Sequence, residues 1–148
     1  MSINWKHVRY FKPEEFDDPK YPGSGENISG VLLNMLIRMR LQTISLDEPK
    51  GWPVIIHTSV GGAVDVDGSW GHAGNSYHLF VNGCKAVDFH FATKSTLREQ
   101  FFLVSGIGFG GVGIYYDWNT KGFHVDVRPK KETQRWKRES GKYFYLLS

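Results

Sequence analysis

Apolar side chains recur at Ile28, Val31, Leu32, Met35, Leu36 and Met39. That i, i+3, i+4, i+7 spacing lays one apolar stripe along a helix, and it accounts for both methionines as core packing. Asn27 stands before the stripe as the expected N-cap, and Asp-Glu-Pro-Lys-Gly at 47–51 breaks the pattern. The period then changes. Residues 52–58 read as a strand with a proline near its start, and 85–91 alternate in strand fashion. A second helix is expected from a cap at Thr93 or Ser95 to about Val104, with Gly106 stopping it. Residues 113–116 and 123–127 read as short strands joined by a turn at 117–121, and 143–147 as a final strand. Residues 12–16 suit a short helical turn, 21–25 a chain reversal, and 59–76 a long loop rich in Gly, Asp and Ser. Helices segregated from short, mostly antiparallel strands predict an α+β fold: a small sheet with flanking helices.

Composition narrows the function classes. At 148 residues, with 41% hydrophobic and 22% charged, the chain reads as one folded domain over 1–148, not a disordered or fibrous one. Its longest apolar runs, such as Val54-Ile55-Ile56, are too short to span a bilayer. The opening Met1-Ser2-Ile3-Asn4-Trp5-Lys6 starts no signal-peptide core, so synthesis in the cytoplasm without membrane insertion is the expectation. A single cysteine, Cys84, excludes an internal disulfide and a cysteine-based zinc knot. The net charge of +3 is uneven, because 128–148 hold seven basic residues and two acidic ones. A basic segment on a slightly acidic body fits a polyanionic partner, or simply a solvated face.

Two clusters carry candidate chemistry. One is Ser76-Tyr77-His78, leading through Gly83 to Ala86-Val87-Asp88; the other is Gly113-Ile114-Tyr115, leading to His124-Val125-Asp126-Val127-Arg128. Two histidines and one carboxylate on or beside neighbouring strands form a donor set for a catalytic zinc that keeps one position for water.

These elements resemble the zinc D-Ala-D-Ala carboxypeptidase family of peptidoglycan peptidases, which shares its fold with Hedgehog domains. The opening Tyr10-Phe11-Lys12-Pro13-Glu14-Glu15-Phe16 resembles the family's start, so the likeness runs nearly end to end. The resemblance implies a Hedgehog/DD-peptidase-like fold and one Zn2+ held by His78, Asp88 and His124. Hydrolysis of a peptide bond in a peptidoglycan stem peptide or cross-link is the implied activity. The implied acid/base residue is Asp117, with Asp126 in a supporting or acid/base role. Without an export signal, the enzyme is expected to reach the wall through a separate pore, as a phage lysin does, or to remodel the wall.

Two departures shape this expectation. Nine residues separate His78 from Asp88, more than the family's usual spacing, and a hairpin tip tolerates such extra length. The family's substrate-binding Arg after the first strand is missing, since no Arg occurs between Arg40 and Arg98. Arg suits a free terminal carboxylate. Its absence points to an endopeptidase rather than a carboxypeptidase, to Lys85 or Arg128 as a substitute cation, or to a non-catalytic wall-binding or structural module of the same fold. His57, His72 and His90 stand as structural or surface residues, with His90 as the substitute ligand should Asp88 fail. Cys84 lacks the helix N-terminus that would activate a thiol. The run 106–113 lacks the Gly-Lys-Ser/Thr ending of a phosphate loop. Trp52, Trp70 and Trp118 are groove or core residues. Nucleic acid is not the expected partner, because no known binding module accompanies the basic segment.

Overall fold

A computed structural model describes residues 2–146. Helix α1 spans Gly30–Gln42 and α2 spans Leu97–Ser105. The strands are β1 (Val54–Ile56), β2 (Ala86–Phe91), β3 (Gly111–Tyr115), β4 (Gly122–Asp126), β5 (Gln134–Glu139) and β6 (Lys142–Leu146). They form one open sheet in the order β1-β2-β4-β3-β5-β6, antiparallel throughout except for the parallel β3–β5 pair. The architecture is α+β.

Local chemistry shifted several boundaries. Ser29, not Asn27, caps α1, because its hydroxyl accepts the Leu32 N–H at 3.3 Å while the Asn27 amide donates to the Ser24 carbonyl. Leu32, Leu33, Leu36 and Met39 form the buried stripe, and Val31 faces solvent at 62% exposure. Thr96 caps α2 by accepting from Glu99 N–H, whereas Thr93 is occupied by the Glu48 carboxylate. The strand expected over 52–58 is confined to Val54–Ile56.

The basic segment is a correction of a different kind. Most of it folds as the β5–β6 hairpin, in which only the second strand was expected, closed by Ser140 and Gly141 at φ 49° and 75°. Two successive positive φ values define the turn type that matches strand twist. Leu147 of the expected last strand lies outside the described residues.

Register divides the sheet cleanly, because cross-strand partners share a face. One face carries Val87, Val125 and Val112 in one row and Phe89, Phe123 and Ile114 in the next. These side chains are at most 2% exposed and join α1, Val104 of α2 and Phe16 in one core. The opposite face carries Asp88, His124, Gly113, Trp136 and Tyr145 in one row, and Ala86, Asp126, Gly111 and Gln134 in another. Where the core face reaches β5 it meets Arg135, whose guanidinium donates to the Ser105 carbonyl at the end of α2. No helix among the described residues is long and apolar enough to cross a membrane.

Candidate metal centre

Sheet register sets Asp88 opposite His124. His78 arrives from the loop preceding β2. Its N–H donates to the Ser76 hydroxyl at 3.2 Å, and its carbonyl accepts the Asp65 N–H at 3.1 Å. This is the physical content of the Ser-x-His element. The extra residues between His78 and Asp88 make one helical turn at Phe80–Asn82 and a reversal through Gly83 and Cys84, both at positive φ. That detour bulges outward and leaves the approach of the two ligands intact.

Three atoms then converge. Asp88 Oδ1 lies 2.9 Å from His124 Nδ1 and 3.2 Å from His78 Nε2, and the two nitrogens are 3.3 Å apart. Donors around a tetrahedral zinc with bonds of 2.0–2.1 Å sit roughly 3.3 Å from one another, so the donor set and spacing fit that ion. The outer nitrogen of each ring is held as well. His78 Nδ1 donates to the Ala63 carbonyl at 2.9 Å, and His124 Nε2 donates to Asp126 Oδ2 at 2.8 Å. Such outward hydrogen bonds select the tautomer whose bare nitrogen faces the ion.

Asp126 is fully buried and clamped by Arg128, with Nη2 at 2.6 Å from Oδ2 and Nε at 2.8 Å from Oδ1. Both of its oxygens are therefore taken by Arg128 and His124, which gives it a supporting position. Asp117 sits in the β3–β4 turn and faces the other hairpin, accepting the Gly141 N–H at 2.9 Å and pairing with Arg138 at 3.4 Å. Asp126 therefore has no uncommitted oxygen, and Asp117 turns its Oδ2 to the β5–β6 hairpin.

Electrostatics follow from the close packing. Burial works against ionisation of Asp88, but the neighbouring charge of His78 and the hydrogen bonds from both histidines hold its carboxyl well below the usual range. Burial likewise disfavours the His124 imidazolium, yet Asp126 and Asp88 outweigh it and push the ring up to about 9. For Asp126, burial is overcome by Arg128 and His124, and the carboxyl is held low. The metal-free centre at neutral pH is thus a protonated His124 between two carboxylates, and a cation taking its place displaces a proton.

The glycines of β3 clear this face. A Cβ on Gly111 would meet the Asp126 carboxylate and Arg128 Nε at 2.8 Å. One on Gly113 would collide with Trp136 Nε1, so only glycine lets that indole lie over the sheet beside His124, with ring centres 5.6 Å apart.

A cleft of about 540 Å³ opens along the β1 side of Asp88, lined among others by Ile55, His57, His90, Trp118, Asn119 and Thr120. His57 Nε2 and His90 Nδ1 share a hydrogen bond of 3.0 Å, so His90 belongs to the cleft. Trp118 stacks on Tyr115 at 4.2 Å and meets the His57 ring edge-on. Of the other tryptophans, Trp52 packs on Phe91 and Trp70 donates to Asp18. Cys84 is buried and its thiol is pushed up to about 11, the opposite of an activated nucleophile.

His72, which the sequence reading gives a structural or surface role while allowing it to approach from the long loop, does come close to these donors. One of its ligand atoms lies within 4.8 Å of those of His78 and Asp88. No spacing rule signals this, because the loop 59–76 folds back through tertiary contacts. Asp18, Asp65 and Asp67 also cluster, but their carboxylates already accept from Trp70 Nε1, His72 Nδ1, the Tyr21 hydroxyl and several backbone N–H groups. Comparison with protein-family models, curated proteins and solved structures gives no match for this chain.

Proposed function

We propose that the chain is a zinc-dependent peptidase that hydrolyses an internal peptide bond of bacterial peptidoglycan, in a stem peptide or cross-link. The observation that carries this reading is the meeting of His78 Nε2, His124 Nδ1 and Asp88 Oδ1 at 2.9–3.3 Å on a solvent-reached sheet face. The Ser-x-His, Ala-x-Asp, Gly-x-Tyr and His-x-Asp elements that resemble the peptidoglycan peptidases are the ones that build this face.

In this reading His78, Asp88 and His124 hold one zinc ion, which when bound acidifies water to a pKa of about 7 and polarises a carbonyl. The chain's own residues prepare the place. Ala63 and Asp126 fix the two imidazoles, and Arg128 fixes Asp126. The cleft beside Asp88 accepts the substrate, with Trp118 as an apolar wall and Ser59, Asn119 and Thr120 as polar contacts.

The cleft also supports an endopeptidase. No Lys or Arg is among the residues lining it, and neither substitute cation reaches it: Arg128 is committed to Asp126, and the Lys85 stem lies against Gly83. A free terminal carboxylate would find no fixed positive charge there.

Metal analysis of the purified protein should find about one zinc per chain, and His78→Ala should remove it. Digestion of purified cell walls, with mass analysis of the fragments, should show new amine and carboxyl ends inside peptides and none after chelation. A chain that takes no zinc, or walls left intact by the zinc-loaded chain, defeats the proposal. Zinc uptake without hydrolysis is the outcome expected of a non-catalytic wall-binding module.

A further inference from the structure

We propose that His72, held by Asp65, is the catalytic residue that takes and returns the proton during peptide hydrolysis, an assignment that rests on the peptidase reading above. The acid/base position is open on this face, since Asp117 and Asp126 are bonded elsewhere and His57 and His90 bond each other.

Three observations carry it. First, Asp65 is fully buried, accepts the Gly68 N–H at 2.8 Å on one oxygen, and lies 2.7 Å from His72 Nδ1 on the other. This buried carboxylate orients the imidazole and leaves Nε2 as its bare nitrogen. Second, the loop is tied to the metal centre by the backbone. Asp65 N–H donates to the His78 carbonyl at 3.1 Å, and Phe80 N–H donates to the Asp65 carbonyl at 2.9 Å. A dyad tied by these backbone bonds to the turn that carries His78 keeps its distance from that residue. Third, the His72 ring stacks on His78 at 4.2 Å with only 15° between planes, and its side chain is 21% exposed. Imidazole lone pairs lie in the ring plane, so two near-parallel rings cannot aim at the same point. His78 and His124, inclined by 65°, can do so. His72 therefore stands beside the three donors, within reach of solvent, where a general base belongs.

The proton count closes. As water oxygen bonds to the scissile carbonyl carbon, Nε2 of His72 accepts one water proton. As the C–N bond breaks, Nε2 returns that proton to the departing nitrogen. The second water proton leaves with the new carboxylic acid, which ionises at neutral pH. The products are a carboxylate and an amine, and His72 ends neutral, as it began.

The test uses the full chain with zinc and purified cell walls. His72→Ala and His72→Asn should each slow release of new amine ends by roughly 10²–10⁴-fold, the usual worth of a general acid/base. Both should keep one zinc per chain and a wild-type circular dichroism spectrum, whereas His78→Ala loses the ion. In the metal-free wild type, nitrogen chemical shifts should show His72 protonated at Nδ1 and bare at Nε2. Wild-type turnover in His72→Ala overturns the assignment, and so does the opposite tautomer. Loss of zinc from both His72 variants overturns it too, because His72 would then be a ligand. A wild-type chain that binds zinc but leaves walls intact defeats the peptidase reading itself, which separates the two failures.

Discussion

The two faces of the same three strands obey opposite rules. On one, Val87, Phe89, Val112, Ile114, Phe123 and Val125 are closed off from water and judged only by shape and volume. On the other, Asp88, His124 and Gly113, with Trp136 of the neighbouring β5, are judged by where single atoms point. Alternation along a strand delivers both sets at once, one residue apart. A slip of one residue in register would exchange core and site, so the apolar rows also hold the ligands in phase.

Substitutions that strike one face at a time separate these roles. The largest effect belongs to the core. Phe123 is fully buried among Phe89, Phe91 and Phe101, and Phe123→Ala should cost about 3–5 kcal/mol in urea unfolding, with little change in zinc per folded chain. On the site face the effect appears through the ion. Zinc at 100 times its dissociation constant should stabilise the wild type by about 2.7 kcal/mol, and Asp88→Asn should abolish that gain in a thermal melt. Gly113→Ala tests the boundary between the two, because its methyl collides with the Trp136 indole. It should cost about 1–3 kcal/mol and shift tryptophan fluorescence, while Gly74→Ala, with nothing near its Cβ and no positive φ, should leave the emission unchanged.

The gentlest effect is graded with pH. In the metal-free protein His124 is raised from 6.5 to about 9, so its contribution is complete below 6.5 and is lost as pH climbs toward 9. Asp88 and Asp126 are lowered from 3.8, so theirs is complete above that value and is lost in acid. Together these three groups should contribute most between about pH 4 and 6.5. His57, His72 and His90 are lowered by burial and contribute fully only above 6.5, so metal-free stability by urea titration should peak near pH 6.5 and fall on either side. Zinc affinity should run the other way, rising from pH 6.5 to 9 as the His124 proton becomes easier to remove. A flat titration would mean that the His124 contacts with Asp126 and Asp88 are absent in solution.

The same contrast explains what could be read from the chain alone. The core face was legible because apolar side chains repeat with the period of the element that buries them: β2, β3, β4 and α1 all announced themselves. The grouping of His78, Asp88 and His124 came only from a resemblance, since no periodicity marks residues that meet across a fold. Strand β5 was hidden because its residues, Gln-Arg-Trp-Lys-Arg-Glu, are polar on both faces. Only Trp136 is buried there, in a slot that Gly113 opens from another strand. The helix caps were misplaced by one to three positions, because Asn27 and Thr93 spend their side chains on the Ser24 carbonyl, Glu48 and the Ser95 N–H instead. His72 was legible only as a loop residue able to approach, since its proximity to His78 depends on Asp65 pairing with a segment that follows it in the chain.

The detour between His78 and Asp88 has its own consequence. Phe80 and Val81 ride on its outer surface at 50% and 81% exposure, while Asn82 locks its base by donating to the carbonyls of Gly74 and Ser76. Length added between Phe80 and Val81 would enter solvent without pulling on either ligand. That junction is where a fluorescent label, an affinity handle or a foreign recognition loop can be grafted within sight of the metal centre and still spare it.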